Sequence, residues 1–341
     1  MKYDVTIGIP VYNSEDYVRR AVMSALEQTY PSIEFLVIED GCDDRSADIV
    51  REIMDAHPRG SDIHIVNHSK NKGVSASRNR IIEEAQGKYL FFMDSDDEIA
   101  TFTISLLMEQ IRRYDAEIVF GSYERIETNG KRTFFQYPFI SLLGKDALAG
   151  FAYRKYGGIQ ASACNFLVNL SFLRRSQLRF VDVDYWEDMA FTFNLVVHVS
   201  RAVLLSDITY FYYCRENSLS HYQNRTVLPK EEIVKNIGVV DYLKETSLPL
   251  YGRSYYPKRC YLIMMTDFYV ACNILKRRNQ IVPSMTNQEI RRLFQQPASL
   301  RQILGFRQAQ MKNIFFYLLG KLPPSLCVMV VRIVGKMKKL V

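Results

Sequence analysis

The spacing of apolar positions predicts the secondary structure of the first hundred residues. Over the first hundred residues, short apolar runs alternate with stretches in which apolar side chains recur at helical spacing. This pattern predicts a strand with its exit turn at residues 5–13, further strands at residues 33–38, 63–66 and 89–93, and helices at residues 17–26, 46–54 and 75–85. Ser14 is expected to cap the first helix, and Pro10 is expected to mark the end of the first strand. Such alternation is typical of an α/β fold with a mainly parallel sheet flanked by helices.

Acidic turns follow two of the predicted strands, at residues 39–44 and 94–98. The carboxyl ends of parallel strands lie at one edge of a sheet, where open α/β sheets bind ligands. Asp94 and Asp96 are two residues apart, so in an extended segment both side chains face the same side. Crowded carboxylates repel one another unless a cation is present, and oxygen ligands suit Mg²⁺ or Mn²⁺. The alternative is a solvated acidic loop that caps the next helix.

Composition and missing motifs narrow the class of protein. The 48% hydrophobic and 24% charged fractions are those of a folded soluble protein. The six cysteines form no Cys-x-x-Cys pair, which argues against zinc and suits a reducing cytoplasm. No signal peptide is expected, since the first strand begins at once. The first strand is followed by neither a Gly-x-Gly-x-x-Gly nor a P-loop motif, which disfavours dinucleotide-binding and P-loop proteins.

Positive charge is concentrated at the C-terminus. After Glu289 there are ten Lys or Arg residues and no acid, which leaves 34 basic against 37 acidic residues in the remainder. The main body is therefore not expected to bind nucleic acid. The tail is apolar and basic, is interrupted by Pro323 and Pro324, and has no uncharged run long enough to span a bilayer. It is predicted to lie on an anionic membrane as amphipathic helices. The alternative is a helical pair that docks on the protein or forms a homo-oligomer interface.

Four segments of the first hundred residues together resemble the family-2 glycosyltransferases of bacterial polysaccharide synthesis. They are TIGIPVYN (6–13), EDGCDD (39–44), NKGVSASRN (71–79) and FMDSDD (92–97). Further on, WEDMAF (186–191) and YFYYCRENSLS (210–220) are similar to the family's later motifs. The chain departs from the common pattern at Glu39 and Cys42, where Asp and Ser are frequent, and lacks a Lys near residues 165–167.

The resemblance implies a fold, a domain division and a set of site residues. The fold is GT-A, with a catalytic domain at residues 1–222 (nucleotide-binding half 1–98, acceptor-side half 99–222) and a helical extension at 223–341. Tyr12 would pack on the base, Asp40 would accept the ring N–H of uracil, Asp96 would ligate the metal and Asp188 would be the base. The nucleotide-binding set is Pro10, Tyr12, Asp40, Arg78, Asp94 and Ser95, with Glu187, Arg215 and His221 as secondary candidates.

The expected reaction is inverting sugar transfer from a nucleotide diphosphate, with UDP favoured, to a glycan or lipid-linked glycan. One base suffices for a single displacement, and a divalent metal stabilises the leaving diphosphate. The expected place is the cytoplasmic face of the membrane. Asp188 has a simpler alternative role as an acid favoured by a helix N-terminus. For the whole chain, the alternatives are a catalytically silent glycan- or membrane-binding protein on this fold and a sugar-1-phosphate nucleotidyltransferase. The other four histidines, and the aromatic run from Tyr210 to Tyr213, are expected to be structural.

Overall fold

The computed structural model describes residues 2–153, 158–183, 185–215 and 226–340. The chain forms two compact units. The first consists of Met1–Leu148 and Ala161–His221, and the second of Ala149–Gln160 and Tyr222–Val341. The short segment Ala149–Gln160 thus groups with the C-terminal unit, although the sequence-based division placed it in the first domain.

The first unit begins with alternating strands and helices, as the apolar pattern predicted. Strands β1 (Tyr3–Val11), β2 (Ile33–Glu39), β3 (Ile63–Asn67) and β4 (Gly87–Phe92) are parallel and stand side by side in the order β3-β2-β1-β4. Buried apolar side chains fill β1, β2 and β4 almost without interruption, because both faces of this part of the sheet are covered. The elements are β1 (Tyr3–Val11), α1 (Val18–Leu26), β2 (Ile33–Glu39), α2 (Ser46–Ala56), β3 (Ile63–Asn67), α3 (Val74–Glu84) and β4 (Gly87–Phe92).

The rest of the first unit extends the same sheet with mixed strand directions. β9 (Phe166–Asn169) pairs antiparallel with both β4 and β6 (Ile118–Ile126), and β10 (Arg201–Tyr213) pairs parallel with β6. Among the described residues the sheet has ten strands, with the main order β3-β2-β1-β4-β9-β6-β10-β5. The elements are β5 (Glu98–Ile99), α4 (Thr103–Tyr114), β6 (Ile118–Ile126), β7 (Arg132–Phe135), β8 (Ile140–Leu143), β9 (Phe166–Asn169), α6 (Leu170–Arg175), α7 (Glu187–Leu195) and β10 (Arg201–Tyr213). Helix α5 (Ala147–Ala152) begins at the last two residues of the segment Met1–Leu148 and continues into Ala149–Gln160, which is counted with the second unit.

The second unit is helical and is built around α9. This helix packs against α8, α12 and α13, and its buried Asp267 pairs with Lys244 of α8 at 2.8 Å. In the described part of the chain, no helix has the length and apolar character needed to cross a membrane. The elements are β11 (Leu228–Pro229), α8 (Lys230–Glu245), α9 (Tyr256–Lys276), β12 (Ile281–Val282), α10 (Asn287–Arg292), α11 (Leu300–Leu304), α12 (Gln310–Lys321) and α13 (Pro324–Met337).

Two local predictions need correction. The first helix begins at Val18 with Tyr17 as its N-cap residue, so Ser14 is not the cap. Ser14 instead accepts the N–H groups of Tyr17 and Val18 through its backbone carbonyl, which forms a separate turn before the helix. Pro10 lies inside β1, opposite Ile38 of β2, and the strand ends one residue later. A strand tolerates proline at such an end, where one ladder hydrogen bond is lost at little cost.

Candidate active site

The carboxyl ends of three neighbouring strands bring the predicted nucleotide-binding residues to one edge of the sheet. β1 pairs in parallel with β2 up to Val11 and Glu39, and with β4 up to Gly8 and Phe92. Tyr12, Asp40 and Asp94 follow directly or within two residues of these strand ends. Tyr12 exposes 44% of its surface, so its ring is accessible to a ligand.

Asp40 is buried and held by three groups from the segment after β3. Its Oδ1 accepts the backbone N–H of Lys72 at 3.0 Å and lies 2.6 Å from His68 Nδ1, and its Oδ2 accepts the N–H of Gly73 at 2.9 Å. Gly41 follows in the left-handed region at φ +70°, and a Cβ there would lie 2.5 Å from the backbone nitrogen of Asn71. These contacts and the tight backbone turn give the carboxylate a fixed direction.

The turn after β4 places carboxylates in contrasting surroundings. Asp94 keeps a third of its side chain exposed, whereas Ser95, Asp96 and Asp97 are buried. Burial raises the pKa of Asp96 to about 6; the charge of Asp94 adds to the rise and Arg215 opposes it. Burial also raises the pKa of Asp97, and the negative charges of Asp96 and Asp94 raise it further. Several negative charges thus lie close together at this turn, which is a place that favours a cation.

Arg78 joins this turn to a distant part of the chain. The guanidinium, in helix α3, is buried; its Nη2 donates to Asp94 Oδ1 and its Nη1 to Glu187 Oε1, both at 2.8 Å. Glu187 is 109 residues away in sequence and begins α7. The bridge places the N-terminus of α7 beside the end of β4. Both Nη groups are engaged in ion pairs, so a direct contact of Arg78 with a nucleotide stays a prediction.

Asp188 lies in the first turn of α7, next to this bridge. Burial and then the charge of Glu187 raise the pKa of Asp188 to about 7, against the opposing charge of Arg78. Its Oδ1 accepts the N–H of Met189 at 2.6 Å. Trp186, the N-cap residue, has φ +70°, a conformation that is uncommon for a bulky residue and that clusters at functional sites. A carboxyl group with a pKa near neutrality can exchange a proton at physiological pH.

Arg215 pairs with the carboxylate of Asp96, and its guanidinium lies 4.8 Å from the centre of the Tyr17 ring. Arg20 adds a hydrogen bond of 2.8 Å to the backbone carbonyl of Asp96. Two cations thus support the turn. A role of Arg215 in ligand binding stays a prediction. His221, the remaining secondary candidate, lies outside the described residues.

The carboxylates of the turn after β4 fit a divalent cation that is shared with a ligand. In the ranges that the structure describes, no group of three or more His, Cys, Asp or Glu side chains is placed to hold a metal. Mg²⁺ and Mn²⁺ sites at phosphates need only one or two carboxylates, with the remaining ligands from phosphate and water. Asp96, with Asp94 close enough to influence its pKa, supplies such a pair. The role of Asp96 as a metal ligand stays a prediction.

Two site residues were missed by sequence reasoning. His68 was expected to be structural, yet its side chain is buried against Asp40. Tyr210 was expected to belong to the core of a strand, and it is buried in β10; its hydroxyl, however, donates to Asp97 Oδ2 at 2.8 Å and accepts the N–H of Asp94 at 3.2 Å. No spacing signal identifies either residue, because each partner lies on a different strand or turn.

The parallel sheet has an acidic edge at the carboxyl ends of its strands and is extended by antiparallel strands. This architecture and site define the class of protein as a GT-A glycosyltransferase. Residues 6–175 match the model of the family described as Glycosyl transferase family 2, and the chain belongs to that family. The sequence-based assignments of family and fold class are thereby confirmed.

Named relatives agree with this membership, and a solved structure has the same fold. Glycosyltransferase GlyA of Streptococcus pneumoniae serotype 4 is 37% identical over 119 residues, which are 35% of this chain and 16% of GlyA. The UDP-Glc:alpha-D-GlcNAc-diphosphoundecaprenol beta-1,3-glucosyltransferase WfaP of Escherichia coli is 27% identical over 263 residues, which are 75% of this chain and 96% of WfaP. S. aureus TarS 1-349, crystallised with UDP-GlcNAc, superposes with a TM-score of 0.64 at 17% identity, covering 93% of this chain and 90% of that chain. This chain thus spans a small part of GlyA and nearly all of WfaP.

Proposed function

We propose that this protein is an inverting, metal-dependent glycosyltransferase that moves a sugar from a UDP-sugar to a glycan or lipid-linked glycan. The process would be the synthesis of a bacterial surface polysaccharide at the cytoplasmic face of the membrane. The observation that carries the proposal is the Arg78 bridge. It joins Asp94, in the predicted donor site, to Glu187, the neighbour of the predicted base.

The donor side of the proposal rests on the edge of the sheet. The exposed ring of Tyr12 suits stacking on a base, and a firmly held carboxylate at Asp40 suits the ring N–H of uracil, because a carboxylate only accepts hydrogen bonds. Asp94 and Ser95 are proposed to contact the ribose, and Asp96 to hold the cation. A divalent cation bound there would neutralise charge on the departing diphosphate.

The acceptor side rests on Asp188. A carboxyl group whose pKa is about 7 is half ionised at neutral pH, and its ionised form can take the proton of an acceptor hydroxyl. The hydroxyl oxygen forms a bond to the anomeric carbon while the bond from that carbon to the diphosphate oxygen breaks. One displacement on the face opposite the leaving group inverts the anomeric configuration.

The identity of the substrates is supported by two relatives. The name of WfaP specifies UDP-Glc as donor and a GlcNAc-diphosphoundecaprenol as acceptor, and TarS was crystallised with UDP-GlcNAc. We therefore expect a uridine nucleotide and an acceptor of the lipid-diphosphate-glycan type.

The test is nucleotide release by the full chain. UDP-, GDP- and dTDP-sugars are supplied one at a time with Mn²⁺, Mg²⁺ or EDTA, with Asp96→Ala and Asp188→Ala in parallel. We expect slow UDP release from one sugar, which both EDTA and Asp96→Ala abolish. Calorimetry then measures whether UDP binds in the presence of metal. If there is neither release nor binding, the catalytically silent alternative is favoured instead.

A further inference from the structure

The last two helices of the C-terminal unit each bury one face and leave an apolar stripe on the other. α12 packs on α9, and α13 packs on α9 and α10. The buried faces are formed by Asn313, Phe316 and Leu319 and by Cys327, Val328 and Val331. The apolar stripes are the exposed large side chains of the same helices, namely Met311, Phe315 and Leu318 on α12 and Leu326, Met329, Ile333 and Met337 on α13.

The spacing makes each stripe continuous along its helix. Its members recur at intervals of three or four residues, so that they lie on one side as direct neighbours. Exposure is high at the ends of the set, with Met311 at 73% and Met337 at 80%. Isolated apolar side chains are ordinary on a protein surface, whereas rows of them mark a contact site. The stripes therefore need an occupant.

Positive charge accompanies the stripes. Arg332 and Lys336 are exposed next to Ile333 and Met337 on α13, and Lys338 follows the helix. After Glu289 the sequence has no Asp or Glu at all, so no acidic side chain of this stretch offsets these cations. An exposed helical face that mixes Met and Ile with Arg and Lys suits a surface that is anionic outside and apolar beneath.

We propose that the apolar stripes and their flanking cations dock on the surface of an anionic lipid bilayer. Helices of 12 and 14 residues are about 18 and 21 Å long, too short for an apolar core of about 30 Å. They would therefore lie in the plane of the interface. A second copy of the chain is disfavoured as occupant, because it would bring cations against cations. The inference rests on the proposed function and extends it, because a transferase held at the bilayer surface would reach the lipid-linked form of its acceptor.

The test is sedimentation of the full chain with vesicles, without nucleotide or sugar, so that it can fail independently of the transferase proposal. Vesicles of phosphatidylglycerol and phosphatidylcholine are compared with phosphatidylcholine alone. The stripe variant is Ile333→Gln/Met337→Gln and the charge variant is Arg332→Gln/Lys336→Gln.

A control variant removes two other exposed apolar side chains of the same unit, which lie outside both stripes. Val234→Gln/Leu248→Gln replaces side chains that are 49% and 56% exposed. Circular dichroism and thermal melts verify that all variants are folded. Light scattering reports the oligomeric state of each.

We expect the unmodified chain and the control to bind anionic vesicles equally and neutral vesicles hardly at all. Each basic residue at an anionic surface contributes about fivefold to binding, so the charge variant should bind roughly 25-fold more weakly. The stripe variant should lose at least about tenfold. Failure of the unmodified chain to bind, or equal binding by the stripe variant and the control, would overturn the proposal. A dimer that the stripe variant dissociates would overturn it too, and would identify the stripes as a subunit interface.

Discussion

Replacement of Asp188 by Asn should stabilise the protein while abolishing transfer. The pKa of this carboxyl group rises from 3.8 to about 7 in the folded chain. At about 1.4 kcal/mol for each pH unit, ionised Asp188 costs the folded state about 4 kcal/mol as an upper bound. The side chain keeps partial access to solvent, so we take about half, ~2 kcal/mol. Asn has the same size and no charge, and therefore removes this cost.

The stability gained by replacing Asp188 with Asn should increase with pH. The folded-state pKa of Asp188 exceeds the unfolded value, so the folded chain binds more protons between about pH 4 and 7. The contribution of Asp188 to stability therefore falls as pH rises through that window and is constant above it. The gain from Asn should reach its full size at pH 8, roughly 4–8 °C in Tm, and about half of that at pH 5.5.

Activity should also depend on the ionisation of Asp188, but it should rise over the pH range in which the contribution of Asp188 to stability falls. The ionised carboxylate is the base, so kcat/KM of the unmodified chain should rise with pH and level off above about pH 7. Asn cannot accept a proton, and loss of a general base lowers the rate by about 10²–10⁴. Stability and activity are thus expected to move in opposite directions at one position.

Thermal melts at pH 5.5 and 8, together with nucleotide release, measure both effects. Asp207→Asn, which removes an exposed carboxylate from β10, is the matched control and should change neither. The reasoning fails if Asp188→Asn melts at or below the unmodified chain at pH 8. It also fails if the gain is the same at both pH values, or if the variant keeps its activity.

Three further predictions concern the same unit. Asp96→Ala should abolish the difference between UDP binding with Mn²⁺ and with EDTA in calorimetry. Arg78→Lys, which cannot bridge Asp94 and Glu187 with two Nη groups, should lower nucleotide release by at least about tenfold, whereas Arg80→Lys, an exposed change on α3, should leave it unaltered. Gly41→Ala should lower Tm more than Gly130→Ala. Both glycines have positive φ, but only at the first would a Cβ meet backbone atoms, and equal effects would contradict this account.

Local residue patterns were enough to predict the strands and helices of the first hundred residues and the acidic edge of their sheet. Apolar runs and helical spacing depend on local burial, which each segment reports through its own residues. The strands ending near Asp40 and Asp94 were therefore predictable, and parallel pairing implied that both lie at one edge. The start of α1 was not, because the turn through Ser14 satisfies backbone groups that a capping side chain was expected to satisfy.

Which side chains meet at the site depends on tertiary packing. Arg78 pairs with Glu187 across 109 residues, His68 lies against Asp40, and the Tyr210 hydroxyl holds Asp97 from a strand 113 residues away. The pairs of Arg78 and Tyr210 depend on how β9 and β10 join the parallel strands, and the pair of His68 depends on the register of β3 beside β2. Periodicity specifies neither. The pKa of a carboxyl group such as Asp188 likewise depends on burial and on charges brought close by packing. The sequence therefore carries the chemical groups of the site, and folding sets their partners and protonation.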